Sequence, residues 1–285
     1  MINLDEIFTD NLIDAIKHHQ YIFIGESIHG VSEFTKFKYQ FIKRFCDHNW
    51  ICIFEADELG VKLSKHQKEN IKKNLLNFPL IMRTTETAEL LTLLKKRRIQ
   101  YYGIDCIPRR LYMDYPETWK VDKLHQDKAY NINKLADIYF DWREKLMTTN
   151  LINIFTKNKN RKFIIFLHNM HIKHKGSYEQ NSLNLKSVKE RLGIDLQNRC
   201  ICIAQLALSG ECLNNDLSQF TFHIHDKYSV ESLVSGENNI ISLHSTMLPS
   251  NLVAWHHAFE RESIPVKEQY DWVVIYSSIN QPTIC

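Results

Sequence analysis

Glycine and proline are scarce in this 285-residue chain, with eight and six copies, so no stretch reads as a flexible linker or low-complexity segment. No internal repeat is visible. Cysteine is present in odd number, seven, without any Cys-x-x-Cys pair, and Cys52, Cys200 and Cys202 fall inside apolar runs. That pattern excludes a disulfide frame and reads as reduced core residues of a cytosolic protein. No apolar run reaches the roughly 18 residues of a membrane helix. Met1 to Asp10 carries three acidic residues and no basic lead, so no signal peptide is expected. The net charge, 36 − 33 = +3, is too small to make nucleic acid the main partner. The basic run Lys95 to Arg98 suits a helix C-terminus. A Gly-x-Ser-x-Gly elbow, a Gly-x-Gly-x-x-Gly turn, a Walker loop and a His-Glu-x-x-His helix are all missing. Ordinary serine esterase, dinucleotide and nucleotide chemistry are thereby excluded.

The bulk of the chain is that of an ordinary globular protein, 44% hydrophobic and 24% charged. A single domain over residues 1–285 is expected. Residues 4–18 step at helical spacing and predict an amphipathic lead-in helix. Apolar runs then predict strands at 21–25, 50–54, 99–104, 163–167, 200–208, 240–243 and 272–276. Residues 220–225 alternate and predict a half-exposed edge strand. Between the runs lie helical patterns: 34–48, two helices within 60–98 broken at Pro79, and 120–157. A short helix is expected to end at Leu192-Gly193, with the glycine as C-cap, and another near Ser229 to Leu233. Fully apolar strands alternating with helices predict an α/β domain with a mainly parallel central sheet covered by helices on both faces. The helical insertions around 60–98 and 110–157 are candidates for a cap.

Four of the apolar runs end alike. Glu26 follows the first, Glu55 the second, Asp105 the third and His168 the fourth. Ligand sites in open α/β sheets lie beyond the carboxyl ends of the strands, so parallel pairing would bring these side chains, with His29 and His171, to one cleft. His29 stands three residues after Glu26 in Gly25-Glu26-Ser27-Ile28-His29-Gly30, close enough for the carboxylate to orient the imidazole as a base. Its competing role is to cap the next helix. Glu55 either supports that histidine or ends a strand in solvent. Asp105 either joins the site or holds the turn before Pro108. His168-Asn169-Met170-His171, beside two glutamates, has the donors for a metal, although no complete metal signature demands one. The pairs His256-His257 and His18-His19 sit among polar residues and read as surface.

Together these motifs resemble the erythromycin esterase family. Its Gly-Glu-x-x-His-Gly turn matches Gly25 to Gly30, and its Glu-Phe helix matches Glu33-Phe34. Its strand ending in Glu matches Phe54-Glu55, and its His-Asn-x-His segment matches His168 to His171. Tyr102 to Asp105, Arg143, Met147, Asn150 and Tyr270 to Trp272 are similar too, so the resemblance runs through nearly the whole chain. It implies an α/β hydrolase that opens the ester of a macrolide lactone, with His29 activating water and no covalent intermediate. Glu26, Glu55, His168 and His171 would line the same cleft, while Lys38, Asp105, Arg143 and Asn169 would meet substrate. No cofactor or metal is implied, and the partner is a small molecule, with no nucleic acid or membrane. The family usually carries arginine where this chain has Lys38, which keeps the charge and loses the two-pronged donor set. Three other functions fit the same residues. They are a metal-dependent hydrolase using Glu26, Glu55, His168 and His171, a non-enzymatic small-molecule or haem binder, and a biosynthetic tailoring enzyme.

Overall fold

Strands come first in the order of construction, because their apolar runs leave no polar face to expose. The computed structural model describes residues 7–116, 119, 132–234 and 239–285. In chain order its elements are α1 (Asp10–His18), β1 (Tyr21–Glu26), α2 (Ser32–Phe45), β2 (Trp50–Asp57), α3 (Glu58–His66), α4 (Ile71–Leu75), α5 (Thr85–Lys96) and β3 (Gln100–Asp105). Next are α6 (Ile132–Lys157), β4 (Lys162–His168), α7 (Asn169–Ile172), α8 (Ile194–Gln197), β5 (Cys200–Ala207), β6 (Ser209–Leu213) and β7 (Gln219–His223). The chain closes with β8 (Ile240–His244), β9 (Trp255–His256), β10 (Glu260–Arg261), α9 (Val266–Gln269) and β11 (Trp272–Tyr276). The early part of the lead-in helix expected over 4–18 and residues 120–131 of the long one lie outside the described residues.

Seven strands form one sheet in the order β3-β2-β4-β1-β5-β11-β8. All pair in parallel except β8, which runs antiparallel to β11 at the edge. Alternate residues of each run enter opposite cores. Ile22, Ile24, Cys52, Phe54, Ile164 and Phe166 pack with α1, α2 and α5 on one face. Phe23, Ile51, Ile53, Phe163 and Ile165 pack with Met147, Leu151 and Phe155 of α6 on the other. The molecule is thus an α/β sandwich with a mainly parallel sheet. Among the described residues no helix is long and apolar enough to cross a membrane.

Three local expectations change. Residues 219–223 belong to a separate two-stranded hairpin with β6, so their alternation reflects a ribbon lying off the sheet. Gly193, at φ −63°, precedes α8 as its N-cap and terminates no helix. The helix expected near Ser229 is a single 3-10 turn, Val230–Leu233, capped by the Ser229 side chain.

Two glycines bracket the first strand end for separate reasons. A Cβ on Gly25 would fall 2.1 Å from Asn169 Oδ1, so α7 can lie across β1 only here. Gly30 adopts φ +65° with the Ile81 backbone carbonyl against it, a left-handed turn that a side chain would strain.

Candidate active site

Because β3, β2, β4 and β1 are parallel neighbours, their carboxyl ends share one edge of the sheet. Glu26 pairs directly with His168 in register, and Asp57 with Asp105 across an irregularity in β2 after Phe54. Beyond this edge opens a cavity of about 560 Å³, floored by His29, Glu55, Arg143, His168, His171, His256 and His257. Polar loop residues, among them Ser182, Asn184, Lys186 and Glu260, form its walls. A larger surface groove of about 1320 Å³ between α2 and α5 contains none of these groups, so chemistry is sought in the smaller cavity.

His29 Nδ1 lies 2.7 Å from Glu26 Oε1, and its Nε2 lies 3.7 Å from Glu55 Oε1, beyond hydrogen-bond reach. The other oxygen of Glu26 accepts from the Lys38 ammonium. Burial works against the Glu26 charge, yet Lys38 and His29 outweigh it and hold the carboxyl below its usual range. Burial likewise opposes a charged His29, but Glu55 and Glu26 raise it to about 9. The resting imidazole is therefore an imidazolium near neutrality, and its base form appears as pH rises.

Glu55 is the hub of a second set. Its Oε1 accepts from Arg143 Nη2 at 2.6 Å and lies 3.3 Å from His171 Nε2, while its Oε2 accepts from the His168 amide at 3.0 Å. Arg143 also clamps Asp105, donating from Nε at 3.0 Å and Nη2 at 3.1 Å. Arg109 adds a bond to Asp105 at 2.9 Å, and Asp105 accepts the Ile107 amide at 3.2 Å. The turn role weighed for Asp105 is filled by its bond to the Ile107 amide, and its carboxylate approaches the cavity only through Arg143. Burial opposes ionisation of Glu55, but His171, His29 and Arg143 hold it well below its ordinary range. Asp105 is kept low against burial by Arg143 and Arg109.

The structure places the proposed substrate contacts unequally. Of the four, Arg143 alone borders the cavity. Lys38 is turned inward to Glu26 and is 2% exposed, and Asp105 is fully buried behind Arg143. Asn169 is buried against Gly25, donating to the Gln205 carbonyl at 3.1 Å.

Two groups escaped the sequence reading. Glu144, next to Arg143 on α6, is buried and sets Oε1 2.5 Å from His171 Nδ1, a close ion pair outside hydrogen-bond angles. Despite burial, Glu144 and Glu55 lift His171 to about 10. The pair His256-His257, expected at the surface, instead packs on His168, with ring centroids 4.7 and 4.5 Å away. Burial and the neighbouring imidazoles push His168 well down, His256 to about 2 and His257 to about 4. His168 Nε2–H donates to the Ser27 carbonyl at 2.9 Å while its Nδ1 accepts from the Met170 amide at 3.3 Å, a pattern only a neutral ring satisfies. Two charged and three neutral histidines therefore share one cavity. His18, by contrast, is exposed as expected.

No family model matches the sequence, and no curated protein matches it. Solved structures do. A protein from Bacillus cereus superposes with TM-score 0.72 at 11% identity, covering 100% of this chain and 94% of that one. A succinoglycan biosynthesis protein gives 0.73 at 15%, covering 100% and 95%. A histidine-to-asparagine variant of erythromycin esterase EreC, in its open conformation, gives 0.68 at 13%, covering 99% and 97%. The fold is erythromycin esterase-like. At these identities the likeness is one of architecture alone.

Proposed function

We propose that this chain hydrolyses an ester, lactone or related acyl bond in a small molecule, with His29 as general base. The observation that carries the reading is His29 lining a cavity, held at 2.7 Å by Glu26, which is buried behind it and does not itself line the cavity. Glu26 binds Nδ1 and so fixes the ring, leaving Nε2 toward the space where water and substrate meet. In its neutral form Nε2 takes a proton from water as the water oxygen bonds to the carbonyl carbon. The oxyanion develops beside Arg143 and charged His171, whose field is preset by Glu55, Asp105 and Glu144. When the carbon–oxygen bond to the leaving group breaks, the imidazolium returns its proton to the alkoxide. Acid and alcohol result, with no covalent enzyme intermediate. The fold shared with erythromycin esterase supports the hydrolase class, and macrolide lactones belong among the trial substrates.

The test is incubation with a panel of macrolides, simple lactones and esters in water enriched in heavy oxygen, read by mass spectrometry. The reading expects an acid product carrying one solvent oxygen. A substrate turned over without release of an acid, or with label entering the enzyme first, contradicts it.

A further inference from the structure

The pair His256-His257 stands outside the hydrolytic scheme, yet its placement is costly. His257 and Ala258 both hold left-handed backbone, at φ 50° and 61°, a conformation that disfavours side-chain-bearing residues. The surrounding loop is bound down on both sides to sustain it. The buried carboxylates Glu231 and Glu179 accept the Trp255 amide at 2.9 Å and the Ser263 amide at 2.7 Å. Asp226 takes the Trp255 indole at 3.2 Å and Arg261 at 2.8 Å. The Ser27 carbonyl, beside the catalytic turn, accepts both the His257 amide at 3.2 Å and His168 Nε2–H at 2.9 Å. Strain, anchoring and the turn all converge on the position of two imidazoles.

We infer that His168, His256 and His257 form a binding site for one divalent cation of the zinc class, open to the cavity. One ring nitrogen from each lies within 4.8 Å of the others. Their ring centroids are mutually 4.7, 4.5 and 4.3 Å apart. Three imidazoles at the usual zinc–nitrogen distance in tetrahedral array have centroids about 5 Å apart, close to the spacing of these rings. The buried Nδ1 of His256 has no hydrogen-bond partner, which a ligand would supply. His168 already shows the support usual for a metal-bound imidazole, one N–H held by a carbonyl. Ligation through its Nδ1 displaces only the long Met170 contact. Three neutral nitrogen donors select a borderline metal over magnesium or calcium, and a three-ligand set leaves a coordination position toward the cavity. This is a different set from the Glu26, Glu55, His168 and His171 ligands weighed from sequence, three of whose members are committed to ion pairs with Lys38, Arg143 and Glu144.

The experiment is calorimetric titration of chelator-treated protein with zinc chloride. One ion per chain is expected, with affinity falling at least ~100-fold in His256→Asn and in His257→Asn. His174→Asn is the control, because His174, Cys202 and Asp271 form a second cluster of possible donors. That variant is expected to bind as wild type does. Thermal melts check that each variant folds, and cobalt substitution of the wild type provides a readout independent of any variant. A cobalt spectrum of nitrogen ligation without a thiolate charge-transfer band supports the site, whereas such a band moves the ion to Cys202 and overturns it. Absence of stoichiometric zinc, or equal affinity in the folded histidine variants, also overturns it. Binding is read without turnover, so its failure leaves the hydrolase reading standing, and failure of hydrolysis leaves the cation site standing.

Discussion

His171 Nδ1 lies 2.5 Å from the Glu144 carboxylate, and both side chains are shut off from solvent. With Glu55 on its other edge, the imidazole is held charged between two carboxylates. Glu144→Gln removes one of them, so the His171 pKa is expected to fall from about 10 by at least one unit. His29, held between Glu26 and Glu55, has no contact with Glu144 and serves as the internal reference in the same titration. Histidine-selective NMR across pH measures both, and Glu144→Asp is expected to restore the wild-type pattern. An unchanged His171 titration in folded Glu144→Gln contradicts the assignment.

Lys38 is the cation that lets Glu26 stay ionised in a buried position. Lys38→Met leaves that carboxylate with His29 as its one charged partner, and removing one partner of a buried pair costs up to about 3–5 kcal/mol. Chemical denaturation is expected to show a loss of this size, with Lys38→Arg recovering most of it. A Lys38→Met variant as stable as wild type would show that Glu26 is neutral or otherwise compensated.

The order of the strand ends was legible because each apolar run stops on a single ionisable residue, and buried parallel strands have no other use for Glu26, Glu55, Asp105 or His168. Parallel pairing then places them together with little freedom. Glu144 was less legible. The residues that carry the resemblance on its helix are Arg143, Met147 and Asn150, and Glu144 stands one step round from them. His256-His257 was misread for a different reason. Its immediate neighbours, Val253-Ala254-Trp255 and Ala258-Phe259, are apolar and carried a signal of burial, and the fold shows that Glu231, Glu179 and Asp226 draw that loop inward. A positive φ at His257 leaves no mark in composition.

Opposed histidine shifts give stability a maximum near about pH 6.5. His29 and His171 titrate above their unfolded value of about 6.5, so their contribution is complete below that pH and is lost as pH rises through about 9 to 10. His168, His256 and His257 are shifted down, so their contribution is complete above about 6.5 and is lost as pH falls toward about 4 and 2. Glu26, Glu55 and Asp105, also lowered, add to the acid loss. Melting temperature, measured with chelator present, should peak near about pH 6.5, declining as pH rises toward about 9 and as it falls below about 6.5. A maximum below about pH 5 contradicts this electrostatic picture.

The central claim is that His29, held by Glu26, is the base that activates water. It is tested most directly by the pH dependence of kcat/KM for wild type and His29→Ala on a substrate found in the ester panel. Wild-type activity is expected to rise with pH along an ionisation shifted upward toward about 9. The variant is expected to lose at least ~100-fold, the lower range for a general base, while remaining folded with a lowered melting temperature, because Glu26 loses one of its two charged partners. A folded His29→Ala that turns the substrate over at the wild-type rate, with the same pH profile, would contradict the account.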